Sequence, residues 1–154
     1  MTTSNSENVA AEAGSFLSNL LGLQVSTTES DAPESAAVSA TYVDSDEVVR
    51  AHIICDLPSA AILGAALTQI PMGRVNDSIK EGKLADNLQE NAAEVFNIAV
   101  NLLPNHETRR YVLKDVCFCD DTCMPALGDV EQCDDFELDV QRYGKGKMRV
   151  VQVS

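Results

Sequence analysis

The stretch LQENAAEVFNIAVNLLP, residues 88–104, decides the fold because it predicts an amphipathic helix with two contrasting faces. At about 100° per residue, one face collects the apolar residues Leu88, Ala92, Val95, Ala99 and Leu102. A different face collects the acids and amides Glu90, Glu94, Asn97 and Asn101, with Asn87 leading. Residues three and four apart are neighbours on a helix surface, so Glu94 and Asn97 place a carboxylate beside a carboxamide.

This polar face has two interpretations: the solvated side of an ordinary surface helix, or a surface used for binding or chemistry. A solvated face commonly alternates Glu with Lys or Arg, yet no cation occurs between Lys83 and the helix end. Asparagine is disfavoured inside helices because its amide competes for backbone hydrogen bonds. Asn97 and Asn101 on one face therefore favour a use for the amide.

Length and charge narrow the possible functions. The 154 residues predict a single domain spanning 1–154, and a hydrophobic content of 45% is typical of a soluble globular protein. The net charge of −13 argues against nucleic acid and anionic membranes as partners, since both are polyanions. The start, MTTSNSEN, has no basic or apolar region typical of a secretion signal, and the longest apolar run is too short to span a bilayer. A cytoplasmic location without membrane insertion is expected.

The remaining elements follow from hydropathy patterns and turn residues. The predicted order is a helix from about Glu7 to Gly22, strands 37–43 and 48–55, a helix from Asp56 to Ile70, the helix quoted above, a strand at 111–119, and a closing hairpin of 135–143 with 147–153. Residues 27–35 are predicted as a loop, and 144–146 (GKG) as the hairpin turn. The class is α+β, an antiparallel sheet covered by helices in the order αββα then αβββ. Because each half opens with a long helix and continues into strands, an internal duplication is predicted.

A family resemblance adds to this prediction. The stretch ENAAEVFNIAVNLL, preceded by GKLADN and by LPSAAILGAALTQIP, resembles the CheC/CheX/FliY family of chemotaxis phosphatases over most of the chain. The family signature, Glu-x-x-Asn on a long helix, is matched by Glu94-Val-Phe-Asn97. The resemblance implies a CheC-like fold and hydrolysis of the aspartyl phosphate of a CheY-like response regulator. It implies Glu94 and Asn97 as catalytic residues. Glu90 and Asn101, which share their helix face, are predicted to support them.

The implied roles agree with the chemistry of phosphoryl transfer, which asks a catalyst mainly to position groups and stabilise charge. The Asn97 amide, with one acceptor and two donors, would orient a water in line with the phosphorus. Glu94 would pair with the active-site lysine of the phosphorylated regulator. The regulator would supply Mg²⁺ and the phosphorylated aspartate, so no cofactor of the chain's own is expected.

Three departures from the family pattern leave the activity open. Glu90 stands where active members carry Asp or Ser, and Asn101 where a small residue is common. The second Glu-x-x-Asn, found on the first helix of CheC-type members, is replaced by Glu12 and Ser15, which makes the chain CheX-like. The alternatives are a module that binds a response regulator without hydrolysis, or a subunit that forms a homodimer through its terminal strands.

The cysteines form a second candidate site. Cys117, Cys119, Cys123 and Cys133 could in principle supply four thiolates to zinc, but structural zinc sites favour pairs two to four residues apart in knuckles. Cys117 and Cys119 lie on a predicted strand, so burial as small apolar residues is the preferred interpretation and no metal site is predicted. His52 and His106 have no Ser or Cys partner at the spacing of a hydrolase triad.

Overall fold

The computed structural model of the chain describes residues 5–34, 36–103, 110–118 and 128–153, with side chains from residue 9 onward. The helices are α1 (Asn5–Leu21), α2 (Leu57–Leu67), α3 (Met72–Glu81) and α4 (Asp86–Ile98), and a 3₁₀ turn, Ala99–Leu102, continues α4. The strands are β1 (Val25–Glu29), β2 (Val38–Val43), β3 (Val49–Cys55), β4 (Val112–Cys117), β5 (Val130–Val140) and β6 (Gly144–Val153). Within these ranges no helix is long and apolar enough to cross a membrane.

The strands form one antiparallel sheet in the order β1-β5-β6-β3-β2-β4, with the helices packed on one face around the main core. The predicted α+β class is confirmed. The strand order has a two-fold symmetry. If β1, β2 and β3 are exchanged for β4, β5 and β6, respectively, the same order is obtained, read from the other edge of the sheet. The chain therefore contains two units, α1-β1-β2-β3 and α4-β4-β5-β6, joined by α2 and α3. The predicted duplication is confirmed in the topology.

Two elements were not predicted, so the order αββα then αβββ is corrected to αβββ, αα, αβββ. Strand β1 occupies part of the predicted loop, because only Val25 of its five residues is buried and the apolar signal is weak. Helix α3 buries only Val75 and Ser78. Pro71 precedes α3 as its N-cap, where a missing N–H costs no helical hydrogen bond.

The closing hairpin has its turn earlier than predicted. Residues 141–143 make the turn, with Arg142 at φ 76° and Gly144 at φ 112°, and the predicted turn residues Gly144–Gly146 belong to β6. Gly146 has a packing role, because a Cβ there would lie 2.5 Å from the backbone nitrogen of Ser59 at the start of α2. The glycine therefore allows close contact between sheet and helix.

The predicted homodimer would pair two copies through their terminal strands, β5 and β6. Strand β6 lies between β5 and β3, whereas β5 pairs with β1 only over residues 136–140. Among the described strands, residues 130–134 of β5 have β6 as their one neighbour. Of the described strands, only β1 and β4 have a single neighbour. Whether the chain forms a homodimer stays a prediction.

Candidate functional site

The apolar face of α4 enters the core as predicted. The five residues of the predicted apolar face are between 0% and 5% exposed: Leu88, Ala92 and Val95 on α4, and Ala99 and Leu102 on the 3₁₀ turn. Their burial fixes the rotation of the helix about its axis, because turning it would expose this stripe. The opposite face of α4 is therefore held toward solvent.

The polar residues of α4 lie on that outward face. Glu90, Glu94, Asn97, Asn101 and Asn87 are all exposed. Neither the Glu94 side chain nor the Asn97 side chain has a hydrogen-bond partner among the described residues. Their Cβ atoms should lie about 5–6 Å apart, as is usual for residues three apart on a helix. The carboxylate and the amide therefore stand side by side and are available to a second molecule.

Helix α4 is held very close to α2. A Cβ at Gly64 of α2 would lie 2.5 Å from the carbonyl oxygen of Leu88. The side chain of Asn91 bridges the two helices, donating from Nδ2 to the carbonyl oxygen of Gly64 at 2.9 Å and to Oγ1 of Thr68 at 2.8 Å. Sequence patterns alone did not identify Asn91, whose partners lie more than 20 residues away.

A second anchor reaches the helix from the sheet. The hydroxyl of Tyr42 on β2 donates to the carbonyl oxygen of Phe96 at 2.6 Å, inside the core. Burial raises the pKa of Tyr42 far above its ordinary value, so the hydroxyl remains a donor. Phe96 lies in the last turn of α4, where carbonyl groups need partners outside the helix. This bond fixes the backbone between Glu94 and Asn97.

The two supporting residues differ in their surroundings. Glu90 lies one turn before Glu94 and is exposed without a hydrogen bond among the described residues. The Nδ2 of Asn101 donates to the carbonyl oxygen of Ile98 at 3.0 Å, which holds that amide against the helix end. Asn101 therefore ties down its own backbone, while Asn97 has no such bond.

The surface around the pair is acidic. Helix α1, helix α4 and the 3₁₀ turn contain no Lys, Arg or His. Four acids on these elements, Glu12, Asp86, Glu90 and Glu94, are exposed. We call the outward surface of α1, α4 and the 3₁₀ turn the acidic helical face. Such a surface attracts cationic groups and repels anionic ones that carry no compensating metal.

Helix α1 occupies the position equivalent to α4 in the other unit. Shifting the sequence by 82 residues places Glu12 on Glu94 and Ser15 on Asn97, and each of these four residues is exposed. The residues between them, 13–14 and 95–96, are buried in both helices. The repeat therefore preserves the outward positions, but only α4 carries an amide three residues after its acid.

The cysteines do not assemble into one site. Cys117 on β4 and Cys133 on β5 lie four strand positions apart, about 19 Å at the usual strand spacing. One zinc ion cannot bind both thiols, and Cys119 and Cys123 lie outside the described residues. No group of three metal-binding side chains occurs in the part of the chain that the structure describes. Partial burial and Asp135 raise the pKa of Cys133, which lowers its thiolate fraction.

Comparisons with known proteins identify the fold. No family model matches the sequence, and no curated protein does. The FliM–SpeE complex from H. pylori matches over 99% of this chain and 90% of that chain, at 9% identity and TM-score 0.63. FliY from Thermotoga maritima matches over 100% and 92%, at 14% identity and TM-score 0.56.

A third structure is the CheX–CheY–BeF₃–Mg²⁺ complex from Borrelia burgdorferi, which matches over 97% of this chain and 99% of that chain, at 11% identity and TM-score 0.52. At these identities the likeness concerns the fold. The chain has the fold shared by the CheX, FliY and FliM structures.

Proposed function

We propose that this chain hydrolyses the aspartyl phosphate of a CheY-like response regulator, using Glu94 and Asn97. The observation that carries the proposal is the exposed acid–amide pair on α4, which has no hydrogen-bond partner among the described residues and lies on a firmly held helix. A site that acts on another protein must be outward-facing and preorganised before that protein arrives. The pair faces outward, and the backbone that carries it is held in place by the anchors from Tyr42 and Asn91.

In this proposal, Glu94 and Asn97 act by positioning the attacking water and the regulator. The Asn97 amide accepts a hydrogen bond from a water and donates to a phosphoryl oxygen, which aligns the water opposite the leaving carboxylate. The carboxylate of Glu94 pairs with a lysine of the regulator and sets the docking register. Attack by the water breaks the bond between phosphorus and the aspartyl oxygen and releases inorganic phosphate and a free aspartate.

The metal in this proposal belongs to the partner. The acidic helical face would hold the regulator's cationic groups, whereas Mg²⁺ on the regulator would offset the phosphoryl charge. The neighbour from B. burgdorferi is a CheX bound to CheY with Mg²⁺ and BeF₃, which supports a CheY-like partner for the same fold. Glu90 and Asn101 flank the pair and are proposed to support docking.

A second candidate function is a module that binds a regulator or another protein without hydrolysis. The observation in its favour is the FliM–SpeE complex, another protein complex built with this fold, at the higher TM-score of 0.63. The amide of Asn101, already bonded to its own backbone, also departs from the small residue typical of active members of the family. Measuring both regulator binding and phosphate release distinguishes the two candidate functions.

The experiment uses the CheY-like regulators of the source organism, each phosphorylated with a small phosphodonor. Release of inorganic phosphate is followed with and without the full chain. We expect the chain to accelerate phosphate release from one regulator. Asn97→Ala should lower this accelerated rate by about 10²–10³-fold, as for other positioned groups at electrostatic sites. Asn76→Ala on α3, an exposed asparagine away from the site, is the matched control.

Binding of the same regulators, activated with beryllofluoride and Mg²⁺, is measured in parallel. Binding without acceleration by the parent chain would establish the second candidate function. Acceleration that Asn97→Ala leaves intact would show that hydrolysis does not depend on this pair. Neither binding nor acceleration with any regulator would contradict both hydrolysis and regulator binding.

A further inference from the structure

We propose that the groove between α1 and the 3₁₀ turn is a second docking point for the same regulator, one that takes an apolar side chain flanked by Lys or Arg. The inference rests on the proposed function, because it assumes that a regulator docks on Glu94 and Asn97. It adds a determinant of partner choice that the acid–amide pair does not provide.

The groove has an apolar floor and a polar rim. Its volume is about 330 Å³ and it is open to solvent; it is lined by Ala11, Glu12, Ser15, Phe16, Asn101 and Leu102. The half-buried Phe16 and the buried Leu102 pack against the core and form the floor. The exposed Glu12, Ser15 and Asn101 form the rim. An apolar side chain fits this floor, and a neighbouring cation fits this rim.

The groove is continuous with the proposed catalytic pair. Asn101 lines the groove and follows Asn97 by four residues, so the two positions lie about 6 Å apart along the helix. Interfaces that bind specifically bury about 800 Å² on each partner, far more than two side chains offer. A regulator docked on Glu94 and Asn97 would therefore also cover the groove.

Charge favours a basic partner over a second copy of this chain. The groove lies within the acidic helical face, whose three elements contain no Lys, Arg or His. With a net charge of −13 on each copy, two such faces would repel each other. A regulator surface that presents Lys or Arg beside an apolar residue would be attracted, most strongly at low ionic strength.

The short side chain of Ser15 keeps the groove open. The equivalent position of the other unit carries Asn97, whose side chain has two more heavy atoms. At Ser15 a hydroxymethyl group leaves room above Phe16 and Leu102. The first helix, which lacks the acid–amide pair, thus offers a binding surface instead.

The experiment measures the Kd of the full chain for its beryllofluoride-activated regulator, with Mg²⁺ present. Ser15→Trp fills the groove and Glu12→Lys reverses the rim charge. Each should raise Kd by about tenfold, as expected for a blocked pocket and for a reversed interface charge. The matched controls are Asn76→Trp and Glu81→Lys on α3, where both residues are exposed. The effect of Asn97→Ala should instead lie in the maximal rate of dephosphorylation.

The outcomes separate the two proposals. A tenfold rise in Kd for both groove variants but not for the controls, with unfolding temperatures unchanged, supports the inference. Parental Kd values in both groove variants, beside a rate loss in Asn97→Ala, overturn the inference and leave the proposed function standing. If the parent chain binds no regulator, both proposals fail. Self-association that the groove variants abolish would assign the groove to a second copy and contradict the inference.

Discussion

Helices α1 and α4 begin the two units of the fold and differ at the positions that matter for function. Both bury one apolar stripe and expose an acid, Glu12 or Glu94, at the equivalent position. Three residues later α1 carries Ser15 and α4 carries Asn97. A hydroxyl has one donor hydrogen, whereas an amide has two donors and an acceptor in one plane. Because the two positions are equivalent in the repeat, the amide of Asn97 is the group that distinguishes α4 from α1.

The two helices also differ in how firmly they are held. Helix α4 approaches α2 backbone to backbone at Gly64 and receives the buried hydroxyl of Tyr42. Helix α1 lies on β1, where a Cβ at Gly14 would be 3.3 Å from the carbonyl oxygen of Val25, and the hydroxyl of Thr27 donates to the carbonyl oxygen of Ala10 at 2.7 Å. Ser18 also bonds α1 to the backbone of Val25. By closeness of backbone approach and by burial of its hydrogen bond, α4 is the more firmly anchored helix.

The largest expected effect comes from making α4 resemble α1. Asn97→Ser should lower the maximal rate of regulator dephosphorylation by about 10²–10³-fold, because the serine side chain has two fewer heavy atoms and places its donor and acceptors on one oxygen, so it does not reproduce the positions of the amide groups. Phosphate release at saturating regulator measures it. Asn76→Ser, the same change on an exposed residue of α3, is the control and should leave that rate unchanged. Retained activity in Asn97→Ser would show that α4 does not need its amide.

The next effect concerns stability. Gly64→Ala should lower the free energy of unfolding by about 2–3 kcal/mol, because its methyl group would meet the backbone of Leu88. Gly14→Ala should change it by less than about 1 kcal/mol, since the gain in helix propensity offsets milder crowding. Denaturant unfolding of both variants provides the comparison. Equal losses would mean that the two helices are packed alike.

The hydroxyl anchors give a smaller difference. Tyr42→Phe removes a fully buried hydrogen bond and should cost about 1–2 kcal/mol of unfolding free energy, because the Phe96 carbonyl is left without that donor. Thr27→Val removes a half-buried bond and should cost about 0.5–1 kcal/mol. The variants are compared by thermal and denaturant unfolding. A larger loss in Thr27→Val would reverse the assignment of α4 as the more firmly anchored helix.

The smallest expected effect is on the pH dependence of stability, through His52 on the sheet face away from the helices. Burial lowers the pKa of His52, although Asp115 opposes the shift, and its Nε2 has no hydrogen-bond partner among the residues that the structure describes. The unfolded chain therefore binds a proton more readily, so stability falls as pH drops below the ordinary histidine pKa of about 6.5. Unfolding measured at pH 7.5 and 5.5 should show a smaller loss in His52→Leu than in the parent chain. An equal loss would assign the acid sensitivity to other groups.

Periodicity predicted the features of α4 that depend on one helix alone. The buried stripe from Leu88 to Leu102 and the exposed row containing Glu94 and Asn97 are both confirmed, because a helix with two chemically distinct faces orients itself. Strand β1 and helix α3 were missed because each buries too few apolar residues to leave a pattern. Strand β1 pairs with β5, which is distant in sequence, and α3 packs against α2, which directly precedes it.

The roles of single polar residues were harder to predict. Asn91, Asn97 and Asn101 share one helix and its 3₁₀ extension, but the first binds α2, the last binds its own backbone, and Asn97 binds neither. These differences depend on which element lies opposite each amide, which no local pattern records. The groove beside α1 likewise needs two elements more than 80 residues apart.

The most direct measurement is the single-turnover rate at which a saturating amount of the chain dephosphorylates its CheY-like regulator, for the parent and for Asn97→Ala. A fall of about 10²–10³-fold with the Kd for the beryllofluoride-activated regulator unchanged is the predicted result. An unchanged rate in Asn97→Ala would contradict a catalytic role for the exposed amide of α4.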